Sequence, residues 1–207
     1  MIRHEGPWLT KGETVICFGD SITAPENGYV AILKKHLTPR GITVINAGVG
    51  GDTVPKALTR LKQDVIDRKP DAVSIFLGTN DATCGRGRWA DEPRIPPDGY
   101  RASLEHLVYL CRIWGNIGKF SITPPLWRFE GDAFAEFGDH LAPYCIAARE
   151  AADNARTRFV PADTAFSGEW DRHPGHTGIL LTTDGTHLAE TGSGIDAEAM
   201  LKAWDML

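Results

Sequence analysis

Four short segments of the chain contain residue types that could carry out chemistry. They are GDSI at residues 19–22, GGDT at 50–53, GTND at 78–81 and DGTH at 184–187. Together they supply a hydroxyl, an imidazole, carboxylates, a carboxamide and backbone amides that glycine leaves accessible. A nucleophile, a base that activates it and donors for a developing negative charge are the components of an acyl-transfer site.

The elements that would position these segments alternate between strand and helix. Apolar and β-branched runs predict strands at residues 13–18, 42–46, 72–77, 117–122 and 158–160. Apolar residues at helical spacing predict helices at residues 29–37, 54–66, 100–114, 134–155 and 189–204. Pro143 indicates that the fourth of these helices begins near Leu141 or is kinked there.

This alternation predicts a single α/β domain over residues 1–207, with residues 1–12 as a polar N-terminal arm. Strands that are joined through helices form a parallel sheet covered on both faces. Such sheets carry their sites beyond the carboxyl ends of the strands. Three of the four segments follow predicted strands and the fourth precedes the last helix, so we expect one edge of the sheet to gather them.

The four segments, in this order, resemble the sequence blocks of the SGNH hydrolases, which are also called GDSL esterases and lipases. GDS alone is a weak signal, whereas the ordered set over residues 19–187 is specific and covers most of the chain. The resemblance implies a three-layer α/β/α sandwich of flavodoxin-like topology with a central parallel sheet of about five strands. It also implies a serine esterase that needs no cofactor and no metal.

The resemblance implies a catalytic triad made of Ser21, His187 and Asp184. A serine hydroxyl is a weak nucleophile at its free pKa and needs an adjacent base, which His187 can provide. Asp184 lies three residues before His187, a spacing that lets its carboxylate reach the ring Nδ1–H. We expect activity to rise with pH as the imidazole loses its proton.

The resemblance also implies an oxyanion hole formed by Ser21, Gly51 and Asn80. The backbone N–H groups of Ser21 and Gly51 can point at a developing oxyanion because glycine permits close approach, and the Asn80 carboxamide can add a third donor. The sequence GxSxG does not occur, so the nucleophile elbow of the α/β-hydrolases is not the alternative.

Structural roles are the other interpretation of these residues. Ser21 could cap a helix, and the short polar residues of the other segments could form turns. We expect Asp20 to accept backbone hydrogen bonds around the serine. We expect Asp52 and Thr53 to cap the second helix.

The composition limits the classes of partner and location. The 207 residues carry a net charge of −5, with 22 basic and 27 acidic residues, which predicts no nucleic-acid partner and no membrane surface. No apolar run approaches the roughly 18 residues of a membrane span, and no secretory signal is visible.

The four cysteines are widely spaced, which indicates free thiols, and we expect a cytoplasmic protein. His173 and His176 indicate a surface turn rather than a metal site. A homo-oligomer is compatible with the sequence.

The predicted substrate is a small-molecule ester. The chain lacks a long apolar insertion for a lipid tail, and the loops at residues 84–97 and 123–132, which we expect to shape the pocket, carry tryptophan and arginine. We therefore expect hydrolysis of short acyl groups, such as acetyl on a carbohydrate or another small alcohol, through a covalent acyl-enzyme. The alternatives are a lysophospholipase or thioesterase, acyl transfer to another acceptor, and a non-catalytic module that binds carbohydrate or acyl groups.

Overall fold

A five-stranded parallel sheet lies at the centre of the protein, whose residues 6–207 are described by a computed structural model. The strands are β1 Thr14–Gly19, β2 Thr43–Gly48, β3 Ala72–Phe76, β4 Lys119–Thr123 and β5 Arg158–Phe159. Their order is β2-β1-β3-β4-β5, and all neighbouring strands are parallel. The predicted α/β fold is confirmed, and each strand begins and ends within two residues of its predicted bounds.

Helices cover both faces of this sheet. In chain order they are α1 Tyr29–Leu37, α2 Val54–Asp64, α3 Thr79–Thr83, α4 Pro97–Gly115, α5 Gly131–Phe137, α6 Ala142–Asn154, α7 Ala162–Asp171 and α8 Glu190–Ala203. Helices α2, α4 and α6 pack together in one layer, and α1, α7 and α8 pack together in the other. The helix predicted over residues 134–155 is two helices, α5 and α6, and Pro143 lies in the first turn of α6 as its fixed φ favours.

Helix α4 shows how the apolar pattern determines packing. Its buried residues recur every three or four positions, which places them on one face of the helix; they are Tyr100, Leu104, Leu107, Val108 and Cys111. Helix α4 packs between α2 and α6, and the Tyr100 hydroxyl on its buried face donates a 2.8 Å hydrogen bond to the Leu77 carbonyl just after β3. Burial of a large apolar side chain of this kind contributes about 1.5–3 kcal/mol to stability.

The register of the sheet brings the ends of the central strands to one level. Gly19 at the end of β1 pairs with Gly48 at the end of β2 and with Phe76 at the end of β3. Phe76 in turn pairs with Thr123 at the end of β4. The segments that follow β1, β2 and β3 therefore start from the same edge of the sheet.

The N-terminal arm differs from its prediction as a polar extension. Its residues 1–5 lie outside the described residues, but Trp8 and Leu9 are buried. The Trp8 ring lies 4.7 Å from the Trp204 ring, and the Trp8 backbone N–H donates a 2.8 Å hydrogen bond to the Trp204 carbonyl. The prediction is wrong at these two positions, because their apolar side chains complete the core at the end of α8.

Candidate active site

Ser21 lies in a tight turn directly after β1. The neighbouring Asp20 is buried and accepts a 2.9 Å hydrogen bond from the backbone N–H of Ile22, which confirms its predicted role. Burial raises the pKa of Asp20 to about 7, against the lowering effects of the Ile22 N–H and of His187. Helix α1 begins only at Tyr29, so Ser21 does not cap it.

Ser21 and His187 meet although 166 positions separate them in the chain. His187 Nε2 lies 3.0 Å from Ser21 Oγ, and His187 Nδ1 lies 2.7 Å from Asp184 Oδ2. An ionised carboxylate can only accept, so it places the proton of the neutral ring on Nδ1 and leaves Nε2 as the acceptor for the serine proton. This is the geometry of a nucleophile, a base and a residue that orients the base.

Asp184 is held within its own turn. Its Oδ1 accepts the backbone N–H groups of Thr186 at 3.0 Å and of His187 at 2.8 Å. Partial burial acts to raise the pKa of Asp184, but the hydrogen bonds from His187 and Thr186 outweigh it, so the net pKa lies below its ordinary value. Asp184 therefore stays ionised at neutral and mildly acidic pH.

Asn80 connects the segments that follow β1 and β2. Its Nδ2 donates a 2.9 Å hydrogen bond to the Asp52 carbonyl and a longer one, 3.2 Å, to the Asp20 carboxylate. These contacts turn the NH₂ group of the carboxamide towards the Ser21 turn. The longer and weaker bond is the one that an oxyanion beside Ser21 could share or replace.

The glycine segment after β2 comes close to the serine. A Cβ added at Gly50 would lie 3.8 Å from Ser21 Cβ, and Gly51 adopts a φ of +78°, which other residues disfavour. Within residues 6–207, no hydrogen bond engages the backbone N–H of Ser21 or of Gly51. Both amides are therefore available as donors, as an oxyanion hole requires.

Arg60 supports these segments and was not predicted from the sequence. Its Nε lies 2.5 Å from Asp52 Oδ2, and its Nη atoms donate to the carbonyls of Gly19 at 2.9 Å and Ala47 at 3.0 Å. The guanidinium thereby joins the ends of β1 and β2. Asp52 is its ion-pair partner and not a helix cap, so that prediction is wrong; charge pairing with a nearby arginine outweighs capping here.

The N-terminus of α2 is capped by Thr53 and by Asp81. Thr53 Oγ1 accepts the backbone N–H of Lys56 at 3.3 Å, which confirms its predicted role. The Asp81 carboxylate accepts the N–H of Val54 at 3.1 Å, across 27 positions in the chain. Burial raises the pKa of Asp81 to about 7 despite this hydrogen bond. The alternative interpretation of this segment as a plain turn does not account for this contact between the segments after β2 and β3.

A cavity of about 460 Å³ opens beside Ser21 and His187. Besides Ser21 and His187, the cavity is lined by apolar and by polar residues. The apolar ones include Ile22, Pro25, Ile32 and Leu188, and the polar ones include Asn27, Thr183, Glu190 and Ser193. These residues come from the loop after β1, from α1, from the loop that contains His187 and from the start of α8. The loops at residues 84–97 and 123–132, which we expect to shape the substrate pocket, contribute no residue to the wall of this cavity.

The remaining candidate residues take structural positions. The ring nitrogens of His173 and His176 lie 3.0 Å from the nearby carbonyls of Glu169 and Ile179, as in the predicted surface turn. The four cysteines are free and buried. Among residues 6–207, no group of three His, Cys, Asp or Glu side chains is arranged to hold a metal ion, and no helix is long and apolar enough to cross a membrane.

Known proteins resemble this chain over most of its length. The family model described as GDSL-like lipase/acylhydrolase matches residues 17–194. The acetylxylan esterase of Geobacillus stearothermophilus is 29% identical over 209 residues, covering 84% of this chain and 91% of that protein. The arylesterase of Vibrio mimicus is 31% identical over 121 residues, covering 55% of this chain and 56% of that protein.

A solved structure of Axe2, an acetylxylan esterase from Geobacillus stearothermophilus, shares the fold of this chain and the spacing between an aspartate and a histidine. It superposes with a TM-score of 0.83 at 26% identity, covering 97% of both chains. Axe2 forms with alanine in place of a serine, an aspartate or a histidine are described as catalytic mutants. That aspartate and histidine are three positions apart, the separation of Asp184 and His187 here.

Proposed function

The chain belongs to the GDSL-like lipase/acylhydrolase family and is a carboxylic ester hydrolase, and from this premise we propose that it acts through a covalent acyl-enzyme formed on Ser21. The observation that carries the proposal is the hydrogen-bonded series from Ser21 through His187 to Asp184, with contacts of 3.0 Å and 2.7 Å. The proposed substrates are esters of short acyl groups, in particular acetyl on a carbohydrate.

In the proposed acylation, Ser21 Oγ bonds to the ester carbonyl carbon while its proton passes to His187 Nε2. The carbonyl oxygen becomes an oxyanion that accepts hydrogen bonds from the N–H groups of Ser21 and Gly51 and from Asn80 Nδ2. His187 then gives its proton to the leaving alkoxide oxygen as the C–O bond breaks. Asp184 remains ionised throughout and stabilises the imidazolium.

In the proposed deacylation, water takes the place of the departed alcohol beside His187. The imidazole accepts a proton from the water while the water oxygen bonds to the acyl carbon. A second tetrahedral intermediate then forms in the same oxyanion hole. His187 returns the proton to Ser21 Oγ as the acyl–oxygen bond breaks. The products are one alcohol and one carboxylic acid, and the enzyme is regenerated.

The position of the cavity favours binding of the alcohol part of the ester there, rather than of a long acyl chain. His187 must reach the leaving oxygen, so the alcohol lies on the histidine side of the carbonyl. The cavity is lined by His187 but by neither Gly51 nor Asn80. Asn27 and Glu190 in its wall offer hydrogen-bonding groups to sugar hydroxyls, and the similarity to an acetylxylan esterase supports the same class of substrate.

Hydrolysis of p-nitrophenyl esters from acetate to decanoate tests the mechanism and the acyl preference. We expect the highest kcat/KM on acetate, and a loss of about 10⁴-fold to 10⁶-fold in Ser21→Ala together with loss of fluorophosphonate labelling. Ser103→Ala, at a serine of α4 whose hydroxyl binds the Gly99 carbonyl, is the matched control and should keep wild-type activity. Wild-type rates in Ser21→Ala would refute the mechanism, and a preference for acyl chains of about eight carbons or more would refute the substrate class.

Two substrates that share the acetyl group but differ in their alcohol test whether the alcohol part binds in the cavity. We expect Asn27→Ala to raise KM for an acetylated xyloside by about fivefold, the effect of one lost hydrogen bond, and to leave ethyl acetate unchanged. An equal change on both substrates would contradict a role in binding the alcohol.

A further inference from the structure

Glu130 is a buried residue whose carboxylate accepts hydrogen bonds from five different donor groups. It stands between β4 and α5 and is only 2% exposed. Trp170 Nε1 donates to Oε1 at 2.9 Å. The other donors are the backbone N–H groups of Leu180, Leu181 and Thr182, each at 3.0 Å, and the Thr182 hydroxyl at 2.6 Å. A carboxylate can accept this whole set, whereas a carboxamide has only one accepting atom.

The segment that Glu130 binds leads directly into the turn of Asp184 and His187. The Glu130 backbone N–H donates to the Gly185 carbonyl at 3.0 Å, and the Gly185 N–H donates to Thr182 Oγ1 at 3.0 Å. Gly185 has a φ of +91°, and a Cβ there would lie 2.1 Å from the Glu130 carbonyl oxygen. The chain on both sides of Asp184 is therefore attached to Glu130, directly or through Thr182.

The returning half of this loop is joined to the half that Glu130 binds. The Thr183 N–H donates to the His187 carbonyl at 2.8 Å, and the Ala189 N–H donates to the Leu181 carbonyl at 2.9 Å. The His187 side chain is 44% exposed, so close packing does not hold it. A shift at the Glu130 end of the loop would therefore move His187.

We propose that Glu130 is a positioning residue for ester hydrolysis: it holds the loop at residues 180–189 where His187 Nε2 meets Ser21 Oγ. This role rests on the proposed function, because it matters only if His187 serves as the base. A base displaced by about 1 Å can cost about 10²-fold in rate, since proton transfer needs a close approach. The loss falls on kcat, because Glu130 lies outside the cavity wall and touches no bound substrate.

Glu130→Gln is the sharpest test, because it keeps the shape and replaces one accepting atom with an NH₂ group that faces donors. We expect kcat on p-nitrophenyl acetate to fall about 10-fold to 100-fold with little change in KM. We expect the low-field proton resonance of His187 Nδ1–H to shift or broaden, since its contact with Asp184 is disturbed. Glu130→Asp keeps the carboxylate and should recover about tenfold of the lost kcat.

Glu13→Gln is the matched control. It makes the same chemical change at a carboxylate that lies 2.6 Å from Lys119 Nζ at the opposite end of the sheet. We expect a lower melting temperature with unchanged kcat and an unchanged histidine resonance. The proposal is overturned if Glu130→Gln retains both wild-type kcat and the wild-type resonance, or if Glu13→Gln at an equal drop in melting temperature loses as much kcat.

Failure of the proposed function has a different signature. If the wild type and Ser21→Ala hydrolyse esters at the same rate, the serine mechanism is wrong whatever Glu130 does. The histidine resonance of Glu130→Gln still reports whether this carboxylate sets the position of His187, because that measurement needs no turnover.

Discussion

The two halves of the candidate active site are built in different ways. The nucleophile half consists of the segments after β1, β2 and β3, whose strands end in register at Gly19, Gly48 and Phe76. The base half is the loop at residues 180–189, which lies between α7 and α8 and outside the five strands of the sheet. The register of the sheet places the start of each segment in the first half, and side chains such as Arg60 and Asn80 then join these segments. The second half has no strand of the sheet and is held by the hydrogen bonds that Glu130 accepts and by backbone hydrogen bonds within the loop.

The environment of the carboxylates differs in the same way. In the nucleophile half, Asp20 and Asp81 are buried, and burial raises the pKa of each to about 7. In the base half, the Asp184 side chain is 55% exposed, and its hydrogen bonds hold its pKa below the ordinary value. Asp20 and Asp81 therefore lie where the neutral form is favoured, and Asp184, the proposed partner of His187, lies where N–H groups keep it ionised.

Removing the base has the largest expected effect. His187→Ala should lower kcat/KM on p-nitrophenyl acetate by about 10⁴-fold to 10⁶-fold, because Ser21 would lose its proposed proton acceptor. The melting temperature should change little, since the ring is partly exposed and belongs to no core cluster. His173→Ala, at an exposed histidine of the surface turn, serves as the control. Residual activity within about tenfold of wild type would contradict this assignment.

Asn80→Ala breaks the nucleophile half instead. Loss of one oxyanion donor should lower kcat by about 10²-fold to 10³-fold. Stability should fall as well, because Asn80 Nδ2 also binds Asp20 and the Asp52 carbonyl. Steady-state kinetics and thermal unfolding measure the two effects, with Asn154→Ala on α6 as the control. Wild-type kcat in Asn80→Ala would contradict the proposed oxyanion hole.

A pair of glycine substitutions compares the base half with the helix that follows it. Gly185→Ala places a Cβ 2.1 Å from the Glu130 carbonyl oxygen, so the loop must move and kcat should fall by about tenfold. Gly194→Ala adds a methyl group in open space on α8 and should raise the free energy of unfolding by about 0.5–1 kcal/mol without affecting kcat. Equal kinetic effects in the two variants would show that the Gly185 loop is not held tightly.

Asp196 on α8 has the smallest expected effect on activity and sharpens the contrast in burial. It is fully buried, and its carboxyl oxygens have no hydrogen-bond partner among the described residues. Burial raises its pKa from 3.8 to about 8. Between these values the folded protein retains a proton that the unfolded chain releases, so the free energy of unfolding decreases as pH rises. The slope is at most about 1.4 kcal/mol per pH unit.

Asp196→Asn should remove this contribution to the pH dependence. Relative to wild type, the variant should become more stable as pH rises from about 5 to about 8, because Asn has no proton to lose. Urea unfolding of both proteins at several pH values measures the difference, and the contributions of Asp20 and Asp81 cancel because both proteins contain them. A stability difference that is independent of pH would contradict the burial effect, and kcat should be the same in both proteins.

The regular elements could be predicted where their local pattern is strong. Helix α1 has the bounds that its apolar spacing predicts. The strand order β2-β1-β3-β4-β5 is the flavodoxin-like order that the family resemblance implies, whereas alternation of strands and helices alone predicts only a parallel sheet. Helix α7 was missed because only Ala162 and Phe166 of its ten residues are buried, which is too few to set a period. Trp8 and Leu9 were missed because two apolar residues in a polar segment set no period and do not indicate what they pack against.

The supporting residues of the site could not be predicted, because their partners are distant in sequence. Glu130 binds the Leu180 N–H across 50 positions, Arg60 binds the Gly19 carbonyl across 41, and Asp81 binds the Val54 N–H across 27. Nothing in the residues next to Glu130 or Arg60 distinguishes them from ordinary surface charges. The motif residues were found because each motif is short and contiguous.

The amino-acid pattern alone specifies the strands, most of the helices and the order in which hydroxyl, glycine, carboxamide and imidazole segments occur. These features depend on periodicity and on turn-forming residues, which are properties of neighbouring positions. Only the tertiary structure decides that His187 lies 3.0 Å from Ser21 and that the adjoining cavity is lined by α1 and α8. The position of a loop outside the sheet depends on contacts such as those of Glu130. These contacts join segments that meet only after the chain has folded.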